Sequence, residues 1–205
     1  MPNISGALES YRYLLKSRYS FSISVNKKRY DISLTFKDSE FFHLVGFQYL
    51  SDIDIPKSHT QLFSKIDNGK INDSVLAKSV YYRKVDESYA NVEERIEGVR
   101  CLREYIESDN IVFKYIKNRN MYSSIRADFM LKSTVNQKTA FLFLKQRTNE
   151  EFYCICSFFV NPQNEYYGAR AYWLYKSRVF LENGEETVLY NRFREEEGNR
   201  LVKKQ

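Results

Sequence analysis

The hydrophobic period of this chain changes lastingly near Asn110, from about 3.6 to 2, and that change limits what it can fold into. Across Glu87 to Glu107, Val92, Ile96, Val99, Leu102 and Ile106 recur on one helical face. Glu93, Glu94, Arg95, Glu97 and Arg100 take the solvated side of the same helix. After Ser108-Asp109-Asn110 the period falls to two. Strands are expected at Ile111–Ile116, Ser123–Leu131, Thr139–Lys145, Phe152–Val160 and Ala169–Leu181. Asn183-Gly184 is a tight-turn signal, and Glu186–Tyr190 reads as the returning strand. Short loops between successive strands favour an antiparallel meander.

The part before Asn110 reads mainly as helix. Leu8, Tyr11, Leu14 and Leu15 line one side of a helix over Ser5–Arg18. Further helices are expected at Ser39–Leu50, His59–Asp67 and Ser74–Ser79, and Asn68-Gly69 suits a helix stop. One hairpin interrupts them: Ser20–Val25 and Tyr30–Phe36 alternate about a turn near Asn26-Lys27-Lys28. The sequence therefore predicts an α+β fold, with a mostly helical N-terminal half (1–110) packed on a C-terminal antiparallel β-meander (111–191). Residues 1–191 would form a single domain, and 192–205 a charged, frayed tail.

Composition narrows the function classes. Seven glycines, with no glycine-rich phosphate loop, G-x-S-x-G or H-E-x-x-H, set aside P-loop and serine-hydrolase chemistry. The three cysteines, Cys101, Cys154 and Cys156, form no four-ligand metal pattern with His43 or His59. They read as buried, reduced thiols, so neither a metal nor another cofactor is expected. Without a signal-peptide pattern or a transmembrane-length run, the expected location is the cytoplasm, away from membranes. A net charge of +6, with 17 Tyr and 15 Phe, suits an anionic partner with bases to stack on, such as RNA.

His43 stands inside the apolar run Phe41-Phe42-His43-Leu44-Val45-Gly46-Phe47. It reads either as a proton carrier near neutral pH or as a core histidine bonded to a backbone carbonyl. Arg126, Asp128 and Lys132 fall on one side of an expected strand, either as a solvated charged row or as cations offered to a phosphate. Lys145-Gln146-Arg147 ends the next strand. Ser157 is expected on the strand face opposite Cys154 and Cys156, and Tyr166 and Tyr167 lie in the following loop, where they could stack on a base. RNA cleavage without a metal needs a base, cations and an acid, and these residue types can supply them.

Several ordered strings carry a family resemblance. They are Phe42-His43-Leu44-Val45-Gly46-Phe47 with Leu50, Lys65 to Ile71, Arg95-Ile96, Phe113-Lys114-Tyr115, Ser124 to Phe129, Phe143-Leu144-Lys145, Ser157-Phe158-Phe159 and Tyr167. Over roughly residues 8–190 the chain resembles the phage-associated Barnase–EndoU–colicin–RelE-like nucleases, class four. The resemblance implies a metal-independent endoribonuclease of a phage or mobile element. Such a protein would act as a toxin or as an antagonist of RNA-guided host defence, for instance by shortening guide RNA. It places His43, Arg126, Asp128 and Ser157 at catalytic positions. Lys132, Lys145, Arg147, Tyr166 and Tyr167 are the expected RNA contacts, and a host ribonucleoprotein is a further expected partner. The alternative reading is a non-catalytic inhibitor module that binds RNA or protein.

Overall fold

The computed structural model describes residues 3–83, 91–162 and 165–193. Helix α1 (Ile4–Leu15) starts at Asn3, whose side chain accepts the Gly6 N–H. The hairpin β1 (Ser17–Val25) and β2 (Lys28–Leu34) follows. Its two-residue turn puts Asn26 and Lys27 at φ 49° and 67°, the twist that joins antiparallel strands without splaying them. The short helices α2 (Phe41–Leu44), α3 (His59–Asp67) and α4 (Asp73–Leu76) come next, then α5 (Val92–Arg100) and α6 (Leu102–Glu107). The remaining strands are β3 (Ile111–Tyr115), β4 (Phe129–Val135), β5 (Lys138–Gln146), β6 (Tyr153–Val160), β7 (Gly168–Arg170), β8 (Tyr172–Phe180) and β9 (Glu186–Asn191).

Among the described residues nine strands join one mixed sheet, in the order β7-β3-β4-β5-β6-β2-β1-β8-β9. This overturns the expected helical half packed on a C-terminal meander. The N-terminal hairpin lies inside the sheet, between β6 and β8, and β2 meets β6 in parallel at Leu34 and Tyr153. β3 to β6 run as the expected meander, and β8 and β9 form the expected hairpin across Asn183-Gly184. Local periodicity identifies strands but carries no information about which distant strand each one pairs with.

The sheet curls strongly. Residues 168–180 are nearly one continuous strand, which pairs with β3 at its start and, after Ala171, with β1. The Ala171 N–H still donates to Val112 O (3.0 Å), so this strand bridges the two ends of the sheet. Across the curl, Lys114 Nζ on β3 donates to the Tyr30 hydroxyl on β2 (3.0 Å).

Two apolar clusters use the two sheet faces. The larger joins Phe21, Ile23, Leu131, Leu142, Phe158 and Val160 to helix residues such as Leu8, Leu14, Ile96 and Leu102. The smaller, on the other face of β3–β6, contains Tyr115, Met130, Phe141, Phe143 and Phe159, with Phe113, Cys156 and Tyr166 packed against it. The expected long helix breaks at Cys101 into α5 on β6 and α6 on β4, and so follows the curl. Its expected start, 87–90, lies outside the described residues, as does the charged tail from 194 onward.

Gly98 sets how closely α5 approaches. A methyl group there would come within 2.5 Å of Val160 and 2.7 Å of Phe158. Among the described residues, no helix is long and apolar enough to cross a membrane.

Candidate active site

β2 leaves β6 after the Leu34–Tyr153 pair, so the rest of β6 has an edge without a strand partner. Helix α2 and the first turn of α5 fill that opening. The expected helix over Ser39–Leu50 is instead three short turns: a 3₁₀ turn at Asp38–Glu40, α2, and a second 3₁₀ turn at Phe47–Tyr49. Gly46 separates the last two at φ 82°, a left-handed conformation that glycine adopts without a steric penalty. The same glycine makes room for Arg95, since a Cβ at Gly46 would sit 2.7 Å from Arg95 Cδ.

β6 carries a bulge at this edge. Phe143 faces Ser157 and Leu144 faces Ile155, so Cys156 is the extra residue. The bulge reverses side-chain parity. Tyr153 and Ile155 belong to the large core, but so do Phe158 and Val160, while Cys156 and Phe159 lie with the small cluster. Ser157 follows the parity of Phe159 and shares a face with Cys156. The expectation that Ser157 faces away from the cysteines is thereby corrected.

The Cys156 carbonyl meets His43, whose Nε2 lies 3.3 Å away. A carbonyl can only accept, so Nε2 carries the hydrogen, and in the neutral ring Nδ1 keeps its lone pair. His43 is exposed on α2 and is not a core histidine. Its pKa is held below the ordinary value, chiefly because the surrounding protein strips part of its hydration, and further by the Arg95 charge; the bond to Cys156 opposes both effects. Arg95 is buried, with its guanidinium 5.3 Å from the Tyr49 ring and 5.2 Å from Phe159. Sequence reading put Arg95 on the solvated side of its helix. Its place in the string Arg95-Ile96 was the only signal that it belongs near the site.

Cys156 Sγ donates to Arg126 O (3.8 Å), which brings the Arg126 backbone beside the bulge. The strand expected from Ser123 begins only at Phe129, so Arg126 and Asp128 lie in irregular chain. Asp128 Oδ2 accepts the Gln146 N–H (2.9 Å) and ties this segment to the end of β5. These bonds bring the His43 ring and the Arg126 backbone to Cys156, next to Ser157 in the chain, while the Asp128 carboxylate is engaged at the end of β5. Burial pushes the Cys156 thiol up to about 11, and Cys154 is raised by the same cause. All three cysteines are free thiols, and each is half-buried where full burial was expected. Among the described residues, no group of three or more His, Cys, Asp or Glu side chains could hold a metal ion.

The expected RNA contacts are dispersed. Lys145 is exposed at the end of β5. Lys132 pairs with Glu165 (3.2 Å) and lies over Phe141. The Arg147 side chain is nearly buried and donates to Glu40 Oε1 (2.6 Å), Thr35 Oγ1 and O, and Tyr153 O. Tyr166 stacks on Phe159 at 5.8 Å and covers the small cluster. Tyr167 is exposed, and its backbone is held by Asn120.

No curated protein and no solved structure matches the chain. A model of the family described as phage-Barnase-EndoU-ColicinE5/D-RelE like nuclease4 matches residues 3–200. The match spans the sheet, the helices on it and the bulge that holds His43, and the chain therefore belongs to this family of phage-type nucleases.

Proposed function

We propose that the protein is a metal-independent endoribonuclease, with His43 as its general base. The observation that carries this reading is the His43–Cys156 hydrogen bond. It fixes the tautomer that leaves Nδ1 able to accept a proton, and the lowered pKa keeps the ring neutral at pH 7. In this reaction Nδ1 takes the proton of a ribose 2′-hydroxyl, and the 2′-oxygen bonds to phosphorus. The bond from phosphorus to the 5′-oxygen breaks, and water protonates that leaving oxygen. The products are a 2′,3′-cyclic phosphate and a 5′-hydroxyl.

Arg126 balances the charge that grows on the phosphorane, and the Ser157 hydroxyl donates to a phosphate oxygen. Asp128 positions the Arg126 segment through Gln146. Lys132, Lys145 and Tyr167 contact RNA away from the reacting phosphate, while Arg147 and Tyr166 hold the framework beneath it. Residues 1–191 act as one domain, in the cytoplasm of the host. There the enzyme serves a phage or mobile element as a toxin or as an antagonist of RNA-guided defence, and a host ribonucleoprotein is the partner that would present such RNA.

The test is cleavage of single-stranded RNA in EDTA by wild type and His43→Ala. Loss of about 10²–10⁴-fold with an unchanged melting temperature is expected. The acid limb of the wild-type pH profile should lie below the ordinary histidine value of 6.5. Equal rates in the two proteins would remove His43 from the chemistry. Salt-sensitive RNA binding without cleavage would favour the binding-module reading.

A further inference from the structure

A second feature of the sheet lies far from the bulge. At Ala171 the strand 168–180 leaves β3 for β1, and the divergence opens a cleft of about 450 Å³ between the start of β3 and β8–β9. Trp173 Nε1 donates to Asn110 O (2.8 Å), which pins one wall of the cleft to the connection between α6 and β3. Arg170, Arg192, Tyr172, Trp173 and Tyr190 line it, and Asp109 is its one carboxylate. Among the described residues the lining holds two guanidinium groups and one carboxylate. Tyr172 is 58% exposed, an uncovered ring at the mouth of the cleft. Arg170 is exposed and has no ion pair among the described residues.

Flat rings beside guanidinium groups are the chemistry that holds a base together with its phosphate. Sheet register links this cleft to the bulge. Ser157 faces Phe143, Phe143 faces Met130, Met130 faces Phe113, and Phe113 faces Arg170. Directly paired residues share a sheet face, so Arg170 and Ser157 end one row on the same face. Four strand spacings separate them by about 19 Å along the sheet. Met130 and Phe143 in the middle of that row are fully buried beneath Tyr166, so a single RNA strand joining its two ends would pass over that cover, with one nucleotide in the cleft while another meets His43.

We propose that this cleft is a subsite for one nucleotide of a single-stranded RNA, with the base against Tyr172 and the phosphate on Arg170. The proposal rests on the RNA reading given above, but not on the chemistry assigned to His43. Trp173 is the chain's one tryptophan, so its fluorescence reports on the cleft directly.

The experiment titrates wild type, His43→Ala and Arg170→Gln/Tyr172→Ala with adenosine 5′-monophosphate and with a six-nucleotide oligoadenylate, following Trp173 emission. Wild type and His43→Ala should respond alike. The double variant should bind about ten-fold more weakly while keeping the wild-type melting temperature. Its KM for RNA of ten or more nucleotides should rise with kcat retained. A titration that works in a protein that cleaves nothing would support the subsite and defeat the proposed nuclease mechanism. Unchanged emission at millimolar nucleotide, or equal affinity in the folded double variant, would overturn the subsite.

Discussion

Gly98 offers the most direct test of how the site is assembled, because Gly98→Ala sets two known effects against each other. In an exposed helix the exchange stabilises by about 1 kcal/mol, since alanine loses less backbone entropy than glycine. Here the new methyl would meet Val160 at 2.5 Å and the Phe158 ring at 2.7 Å, where ordinary contact begins near 3.4 Å. Phe158 is fully buried and Val160 is 1% exposed, so neither can swing into solvent. Overpacking of this kind costs about 1–3 kcal/mol, and an overlap of nearly 1 Å on two rigid side chains belongs at the upper end. The net expectation is a loss of about 1–2 kcal/mol. For a chain of this size that is about 2–8 °C in melting temperature. Thermal and urea denaturation followed by circular dichroism would measure it. The strain also pushes α5 away from β6, so Arg95 should lose its seat over Phe159. RNA cleavage measured well below the melting temperature should then fall as well. A melting temperature equal to or above wild type would refute the reasoning, because it would mean that α5 does not press on β6 through Gly98.

Two further outcomes concern buried charge. Lys176 is 2% exposed, donates to Ser108 O (2.9 Å) and lies over Trp173, and burial lowers its pKa from 10.5 to about 8. Between those two values the unfolded chain binds more protons than the folded one, so the contribution of Lys176 to stability rises with pH across that window. Measured against Lys176→Met, whose other titrations cancel, wild type should gain about 1.5 kcal/mol between pH 8 and 9.5. Parallel urea-stability profiles for the two proteins would contradict this. Arg147→Ala leaves Glu40 half-buried without its partner and should cost about 3–5 kcal/mol in urea unfolding. Arg147→Lys should recover little of that loss, because an ammonium cannot reproduce a fork that reaches Glu40, Thr35 and Tyr153 together.

Much of this protein was determined locally. The periods along the chain located α1, α3, the helical stretch now divided into α5 and α6, and most strands to within a few residues, because 3.6- and 2-residue repeats follow from backbone geometry alone. The turn at Asn26-Lys27 was legible from its residues, and His43 stood out because an imidazole inside an apolar run has few explanations. Tertiary structure decided the remainder. Nothing local indicates that the 17–34 hairpin inserts between β6 and β8, because strand partners are chosen by long-range burial. The bulge at Cys156 moved Ser157 to the other face, since one inserted residue reverses a period of two. Arg147, Tyr166 and Arg95 looked like surface groups by residue type, yet packing placed them in the framework. His43 carries a candidate base only because β2 diverges from β6 and leaves an edge carbonyl to fix its tautomer. That carbonyl lies 113 residues away along the chain, and folding alone brings it to the imidazole.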